Sequence, residues 1–407
     1  MNIIFLTLVR ISDIEDRGIY QDLMRKFRDE GHNVYIVTAA ERRLGQETSL
    51  VDSHGVKILN VKTLNIQKTN IVEKGIGTLL MENQFKIAIK TYLGDVKFDL
   101  ISYSTPPITF TNVVKFLKRK NPQAISYLQL KDIFPQNAVD MKMFGEKSVF
   151  NWYFRKKEKA LYKASDFIGC MSPANVKFVL GHNPEIDAAR VEVAPNSIGL
   201  KEDVLNDPGQ LEAARLYIRE KYDLPLDKPV FIYGGNLGIP QGIDYLVKCL
   251  DANKNRQDCY FVIVGSGTHY GLIAEWYDKN QNHNVKLMQA LPKSEYDTLV
   301  RTCDVGMIFL DHRFTIPNYP SRLLSYLEYK MPVVCATDVN TDIGKIAEEN
   351  GYGYWCESVK TEDFTALVDK VLAADRKAMG ECGYEFLKQN YLVEHTYNAI
   401  MRHIKIA

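Results

Sequence analysis

Long hydrophobic runs are absent. No stretch approaches the ~20 consecutive apolar residues that a membrane-spanning helix needs. The apolar start, Met1-Asn2-Ile3-Ile4-Phe5-Leu6-Thr7-Leu8, lacks the basic flank and cleavage site of a signal peptide. It reads as a first β-strand, and the chain is expected to be cytoplasmic, reaching the inner face of the plasma membrane only from the side. Paired cysteines are absent too. The 7 cysteines (Cys170, Cys249, Cys259, Cys303, Cys335, Cys356, Cys382) show no C-x-x-C spacing, and several sit in apolar runs such as Val333-Val334-Cys335. That pattern argues against a disulfide framework or a zinc ribbon and for reduced thiols. A surplus of one charge is missing: the formal net charge is +1, so nothing draws the whole chain to nucleic acid. The 8 histidines form no cluster, and no D-x-D carboxylate pair occurs. His54, His182 and His283 stand in polar stretches, His32 follows Gly31 at a helix end, and only His269 and His312 come near the expected site. No metal and no other cofactor is therefore expected. Low-complexity tracts and short repeats are also lacking.

What is present is ordinary globular composition, 46% hydrophobic and 25% charged, in a chain long enough for two cores. Short, β-branched apolar runs recur at 2–8, 33–39, 56–61, 98–104, 124–130, 166–171 and 191–194. They return at 230–234, 260–264, 285–291, 305–310 and 332–336. Continuous rather than alternating apolarity marks strands buried on both faces. Stretches of helical period lie between them, such as Tyr20–Glu30, closed by Gly31, and Leu246–Asn253. This alternation predicts an α/β architecture of doubly wound parallel sheets. It pauses near 197–228, around Asp207-Pro208-Gly209, a helical stretch at Gln210–Tyr222, and Leu224-Pro225-Leu226. The expected organisation is an N-terminal Rossmann-like domain over 1–200, a linker region over 201–228 and a C-terminal Rossmann-like domain over 229–375. A helical segment, 376–407, is expected to cross back to the first domain. Ligands of such sheets bind beyond the C-terminal strand ends, so the site is expected in a central cleft that the two domains face.

Several loops at those strand ends carry chemistry. Gly234-Gly235-Asn236-Leu237-Gly238-Ile239-Pro240-Gln241-Gly242 follows a buried strand and precedes a helix, which suits a diphosphate. Its plain alternative is a glycine-rich turn. Gly265-Ser266-Gly267-Thr268-His269-Tyr270-Gly271 is an imperfect G-x-G-x-x-G that does not follow the first strand, which argues against a dinucleotide enzyme. Pro320-Ser321-Arg322 opens a helix that continues through Ser325 and Glu328; Arg322 could add a charge-assisted bond to a phosphate, and a capped surface helix is the alternative. In the first half, Arg17-Gly18-Ile19-Tyr20 and Lys131-Asp132 lie in loops after strands. Asp132 is a candidate acid/base or sugar-hydroxyl ligand; a helix cap or a salt bridge with Lys131 is its structural alternative. Finally, 150–163 mixes aromatic residues with lysines, which suits peripheral contact with anionic lipid or, alternatively, a helix whose basic face lies in water.

These motifs, in this order, resemble the retaining GT-B glycosyltransferases of family 4, in particular bacterial surface-polysaccharide transferases of O-antigen and capsule synthesis similar to the L-fucosamine transferase. The resemblance rests on Gly18-Ile19-Tyr20 with Gly31-His32, Asp132-Ile133-Phe134-Pro135, Ala164-Ser165-Asp166 leading to Ser172-Pro173, and Pro195-Asn196. It continues through Gly235-Asn236-Leu237-Gly238 with Gln241-Gly242, Gly265-Ser266-Gly267, and Pro320-Ser321-Arg322 to Pro332-Val333-Val334. It implies a UDP-sugar donor bound by the second domain and a lipid-linked or oligosaccharide acceptor bound by the first. Retention of anomeric configuration and metal independence are implied with them. On the donor side it points to Gly235, Asn236, Gly238, Gln241, Gly265, Gly267, Pro320, Ser321, Arg322, Ser325 and Glu328. On the acceptor side it points to Arg17, Gly18, Tyr20, Lys131 and Asp132, with Asp132 and Arg322 as the catalytic pair. The chain departs from the family pattern at four places. Ser325 stands where a ribose-binding glutamate is expected, Pro317 where another glutamate falls, and Asn236 and Gln241 near a basic pair.

Two other readings remain at this level. A nucleotide-sugar epimerase uses a similar fold but needs acid/base carboxylates around the sugar, and no convincing set is visible. A catalytically silent sugar- or partner-binding subunit would account for the missing glutamates.

Overall fold

Each continuously apolar run folds as a strand with both faces covered. The computed structural model describes residues 1–66, 69, 71–200, 207–280 and 284–404, in two units: Met1–Gly199 with Leu392–Ala407, and Leu200–Tyr391. The expectations for His283, 201–206 and 405–407 fall outside the described residues.

In the first unit, β1 (Asn2–Thr7), β2 (Asn33–Glu41), β3 (Ser49–Ser53), β4 (Val56–Thr63), β5 (Leu100–Ser104), β6 (Ile125–Leu130), β7 (Phe167–Cys170) and β8 (Val191–Val193) form one sheet. Its order is β3-β4-β2-β1-β5-β6-β7-β8, parallel throughout except that β3 runs antiparallel to β4. In register, Ile3 faces Val34 on one side and Leu100 on the other. The helices are α1 (Ile19–Asp29), α2 (Ile71–Tyr92), α3 (Thr111–Lys120), α4 (Gln136–Asp140), α5 (Val149–Ala164) and α6 (Pro173–His182). Ser172 caps α6, with Pro173 in its first turn, where a missing N–H costs nothing. Ile3, Phe5, Leu23, Phe27, Ile36 and Ile58 belong to one buried cluster between sheet and helices. Each contributes about 1.5–3 kcal/mol by leaving water.

In the second unit, β9 (Val230–Asn236), β10 (Tyr260–Ser266), β11 (Val285–Met288), β12 (Val305–Phe309), β13 (Val333–Thr337) and β14 (Gly353–Glu357) make an all-parallel sheet in the order β11-β10-β9-β12-β13-β14. This is the Rossmann order, and its direction reverses between β9 and β12, where a crevice opens at the strand ends. Helices α7 (Pro208–Lys221), α8 (Ile243–Asn253), α9 (Tyr270–Asn280), α10 (Lys293–Arg301), α11 (Arg322–Glu328), α12 (Ile343–Glu349), α13 (Thr361–Ala373) and α14 (Arg376–Asn390) cover it. Phe231, Phe261, Phe309 and Phe364 anchor its core.

Two expected boundaries move. The 201–228 stretch is not only a connection, because α7 is part of the second unit. Its fully buried Arg219 donates to the Asp304 carboxylate and the Thr302 carbonyl, each at 2.7 Å. The 376–407 segment divides at Tyr391. Helix α14 stays with the second unit, where Gly380 and Gly383 let it lie against Lys330 and Leu327; a Cβ on Gly380 would overlap the Lys330 carbonyl. Only α15 (Val393–Met401) belongs to the first unit. There Val393 donates to the Ile198 carbonyl at 2.9 Å, Thr396 to Pro195 at 3.1 Å, and Tyr397 packs on Phe27. Among the described residues no helix is long and apolar enough to cross a membrane.

Candidate functional site

In the second unit the chain leaves β9 through Gly234 and Gly235, beside the point where strand order reverses. A Cβ on Gly234 would overlap the Tyr296 hydroxyl, which comes in from α10, so only glycine fits. Gly235 has φ +128°, a conformation that an L side chain rarely adopts, and a Cβ there would meet Arg322 Nη2 at 3.3 Å. The Tyr233 hydroxyl donates to the Asn236 carbonyl at 3.0 Å and fixes the turn. Asn236 donates to Gln241 at 2.7 Å across Gly238. Gly235 and Asn236 are exposed, so this backbone is open to a ligand. On the far side of the switch point, Asp311 N–H donates to the Pro240 carbonyl at 3.1 Å and ties the loop after β12 to the glycine loop.

Arg322, the first residue of α11, lies against this turn. Its guanidinium stacks on the Tyr233 ring, 4.2 Å from the centroid, a contact worth about 0.5–2 kcal/mol. Nη1 is buried and has no hydrogen-bond partner. No ion pair to Arg322 occurs among the described residues. Arginine stays protonated in proteins. A half-buried cation with a buried, unmet donor favours an incoming anion that supplies both charge and acceptor.

Gly265 and Gly267 permit a close backbone approach. A Cβ on Gly265 would overlap the Gly235 carbonyl oxygen, and one on Gly267 the Leu237 carbonyl. Leu237 donates to Ser266 at 3.0 Å, and His269 to Leu237 at 2.8 Å. These glycines let one loop lie on the other and so shape the turn from below. Helix α11 has seven residues, and Ser321 at its start makes no side-chain cap. Pro320 is half-buried and Ser321 exposed. Ser325 and Glu328, both half-buried, follow Arg322 at successive turns of the same helix. Pro317 is buried in a loop pinned by Asn318 N–H on the Thr341 hydroxyl at 3.0 Å. Thr341 in turn donates to Asp338 at 2.8 Å; burial pushes that carboxyl up to about 6, against the pull of its hydrogen bonds. His269 is half-buried and His312 exposed, while His54 and His182 lie in solvent.

In the first unit, β6 delivers Lys131 and Asp132. Their N–H groups both donate to the Thr105 hydroxyl, at 3.0 and 3.1 Å, from the neighbouring strand end. The two side chains then part. Lys131 Nζ donates to the Ala194 carbonyl at 3.2 Å, and burial pushes the amine down to about 7. Asp132 accepts from Asn137 Nδ2 at 2.7 Å, and burial pushes the carboxyl up to about 6. The salt bridge weighed for this pair is therefore replaced by separate partners. Tyr20 is buried close to Asp132, and burial raises its hydroxyl to about 12. Tyr20, Lys131, Asn196 and Thr396 line one small pocket, so α15 completes it. Arg17 and Gly18 are half-buried in the loop that leads into α1.

Sequence reasoning missed the groups that hold these parts in place. Arg25 pairs with Asp22 and donates to the carbonyls of Ile14 and of Asp16, the latter at 2.7 Å; Asp22 also accepts from Gly199 N–H at 2.9 Å. Tyr233 and Tyr296 cradle Arg322, yet in sequence they look like ordinary strand and helix aromatics. The only advance signal was the doubled Gly234-Gly235, which announces that something large stands close. Among the described residues, no three His, Cys, Asp or Glu side chains gather as metal ligands.

Residues 215–386 match the family model described as glycosyl transferases group 1. That match lies within the second unit. WbjE of Pseudomonas aeruginosa, named as a glycosyltransferase, is 22% identical over 278 residues, 65% of this chain and 64% of its own length. WcaI of Escherichia coli K12, whose name describes a colanic acid biosynthesis glycosyl transferase, is 26% identical over 134 residues, 32% of each chain. The chain thus spans less than two thirds of the length of either relative. Among solved structures, Anabaena HepE in complex with UDP is 13% identical with a TM-score of 0.67, covering 99% of each chain. At that identity the likeness is one of fold, and the architecture is GT-B-like: two parallel-sheet α/β domains.

Proposed function

We propose that this chain is a retaining, metal-independent glycosyltransferase of family 4 that moves a sugar from a UDP-sugar to a lipid-linked or oligosaccharide acceptor in bacterial surface-polysaccharide synthesis. The observation that carries the reading is Arg322: among the described residues its buried Nη1 has no partner and its cation no counter-charge, beside the exposed backbone of Gly235. A diphosphate meets both needs. Donor specificity for UDP draws on the HepE–UDP complex of like fold, and the role in polysaccharide synthesis on the name of WcaI.

In the reaction, the bond from the sugar's anomeric carbon to the diphosphate oxygen breaks. A bond from the acceptor oxygen forms on the same face, and the acceptor proton passes to the departing phosphate. Arg322, beside the exposed backbone of Gly235 and Asn236, takes up the charge that develops on UDP. Ser325 bonds a ribose hydroxyl in place of the glutamate, and Asp132 orients a sugar hydroxyl. The test is turnover of a UDP-sugar panel with lipid-linked oligosaccharide and EDTA present, with the product anomer read by NMR. Transfer with retention in EDTA is expected. Loss of transfer in EDTA, or an inverted product, contradicts the mechanism; isomerised donor without transfer identifies an epimerase.

A further inference from the structure

Helix α5 carries apolar side chains where a soluble surface has no use for them. Val149 is 78% exposed, Phe150 67%, Trp152 64%, and Met143, just before the helix, 69%. They are not there for want of a core. Phe134, Phe144 and Phe154 interlock beneath the segment, with Phe134 and Phe154 centroids 4.9 Å apart, and Leu161 and Tyr162 are buried further along. The segment is fully anchored and still leaves four large apolar side chains in water.

Its charge is as uneven. Residues 142–163 hold seven basic side chains (Lys142, Lys147, Arg155, Lys156, Lys157, Lys159, Lys163) and two acidic ones (Glu146, Glu158), a formal +5 within a chain whose total is +1. Glu158 is buried and engaged by Arg155 and the Tyr162 hydroxyl. Val149, Trp152, Lys156, Lys159 and Lys163 follow one another at helical spacing along a single stripe, apolar in the first turn and basic in the rest. Lys156 Nζ lies over the Trp152 ring at 5.4 Å, where the two parts of the stripe meet. Lys159 alone on the stripe has an acidic partner, Glu185, at 2.9 Å.

We propose that this face docks on an anionic lipid surface. Met143, Val149, Phe150 and Trp152 enter the boundary between headgroups and acyl chains, and Lys156, Lys157 and Lys163 rest on lipid phosphates. Apolar tips beside a row of cations match the two layers of such a surface: hydrocarbon at one depth, negative charge just above it. Docking does not depend on the transfer reaction, because it is read without a donor.

The experiment is sedimentation of the full chain with vesicles of phosphatidylcholine alone or mixed with phosphatidylglycerol. Retention on the mixed vesicles only, weakening as salt rises, is expected. Lys156→Ala and Lys157→Ala should each weaken it about fivefold. Phe150→Ala with Trp152→Ala should abolish it with an unchanged melting temperature, since both side chains are exposed. Emission assigned to Trp152, from the difference between wild type and Trp152→Phe, should shift to the blue on mixed vesicles. Equal retention on both vesicle types, none on either, or variants that bind like wild type overturns the proposal. So does self-association abolished by the same variants without vesicle binding.

Discussion

The guanidinium of Arg322 has an aromatic face under it, a glycine backbone beside it and a buried Nη1 that bonds to nothing. Arg322→Ala should therefore cost little stability but weaken UDP binding and lower turnover about 100-fold, the usual scale for losing one preorganised donor to developing charge. Steady-state kinetics of the purified variant checks it. The glycines nearby separate by role. Gly265→Ala drives a methyl into the Gly235 carbonyl, backbone against backbone, and should lower stability by about 1–3 kcal/mol; Gly271→Ala, with nothing within 4 Å, should not, and paired melting curves decide. Asp132 gives a pH signature. Burial raises its folded pKa to about 6 from an ordinary 3.8, so the folded state binds the proton more tightly. Its contribution to stability is most favourable below pH ~4 and declines as pH rises toward ~6. Asp132→Asn should stabilise the fold above pH ~6 by on the order of 2 kcal/mol, with the gain vanishing below pH ~4. Chemical denaturation across that range tests the sign. On the proposed role of Asp132, turnover should fall in the same variant.

At the scale of elements, strands with continuous apolarity were legible because burial on both faces leaves no other composition. Two strands were not. β3, Ser49-Leu50-Val51-Asp52-Ser53, is mostly exposed and exists because His54 and Gly55, both at positive φ, turn it back antiparallel onto β4. β14 mixes Gly353, Tyr354, Trp355, Cys356 and Glu357 at a sheet edge, where one side of the ladder is unpaired and apolar continuity is not needed. The glycine loop and Arg322 could be picked out from their types and positions after strands. The tyrosine cradle could not, since it depends on α10 packing over β9, a contact that no local pattern announces. The last helices show the same limit. Their helical period was visible, but the division at Tyr391 follows from Gly380 and Gly383 meeting α11 and from Val393 meeting Ile198. Ile400 on α15 is fully buried in the first unit. Ile400→Ala should cost about 2–5 kcal/mol in that unit's unfolding while the second unit's transition stays in place, as two-step denaturation would show.

At the scale of the whole molecule, a formal charge of +1 conceals two local concentrations of positive charge. One is the Arg322 guanidinium, whose buried Nη1 has no partner and which we propose takes a small anion. The other is a row of lysines behind exposed aromatics, which we propose meets an anionic lipid surface. Both fit the proposed catalyst, which would take a nucleotide-sugar from solution and work on an acceptor at a membrane. The central claim is the first of these: the Gly235 loop and Arg322 are the diphosphate site. Calorimetric titration with UDP, with EDTA present, measures it directly for wild type beside Arg322→Ala. The account predicts UDP binding by the wild type in EDTA and a large loss of affinity in a variant that melts normally. Equal affinity for UDP in the two proteins would contradict it.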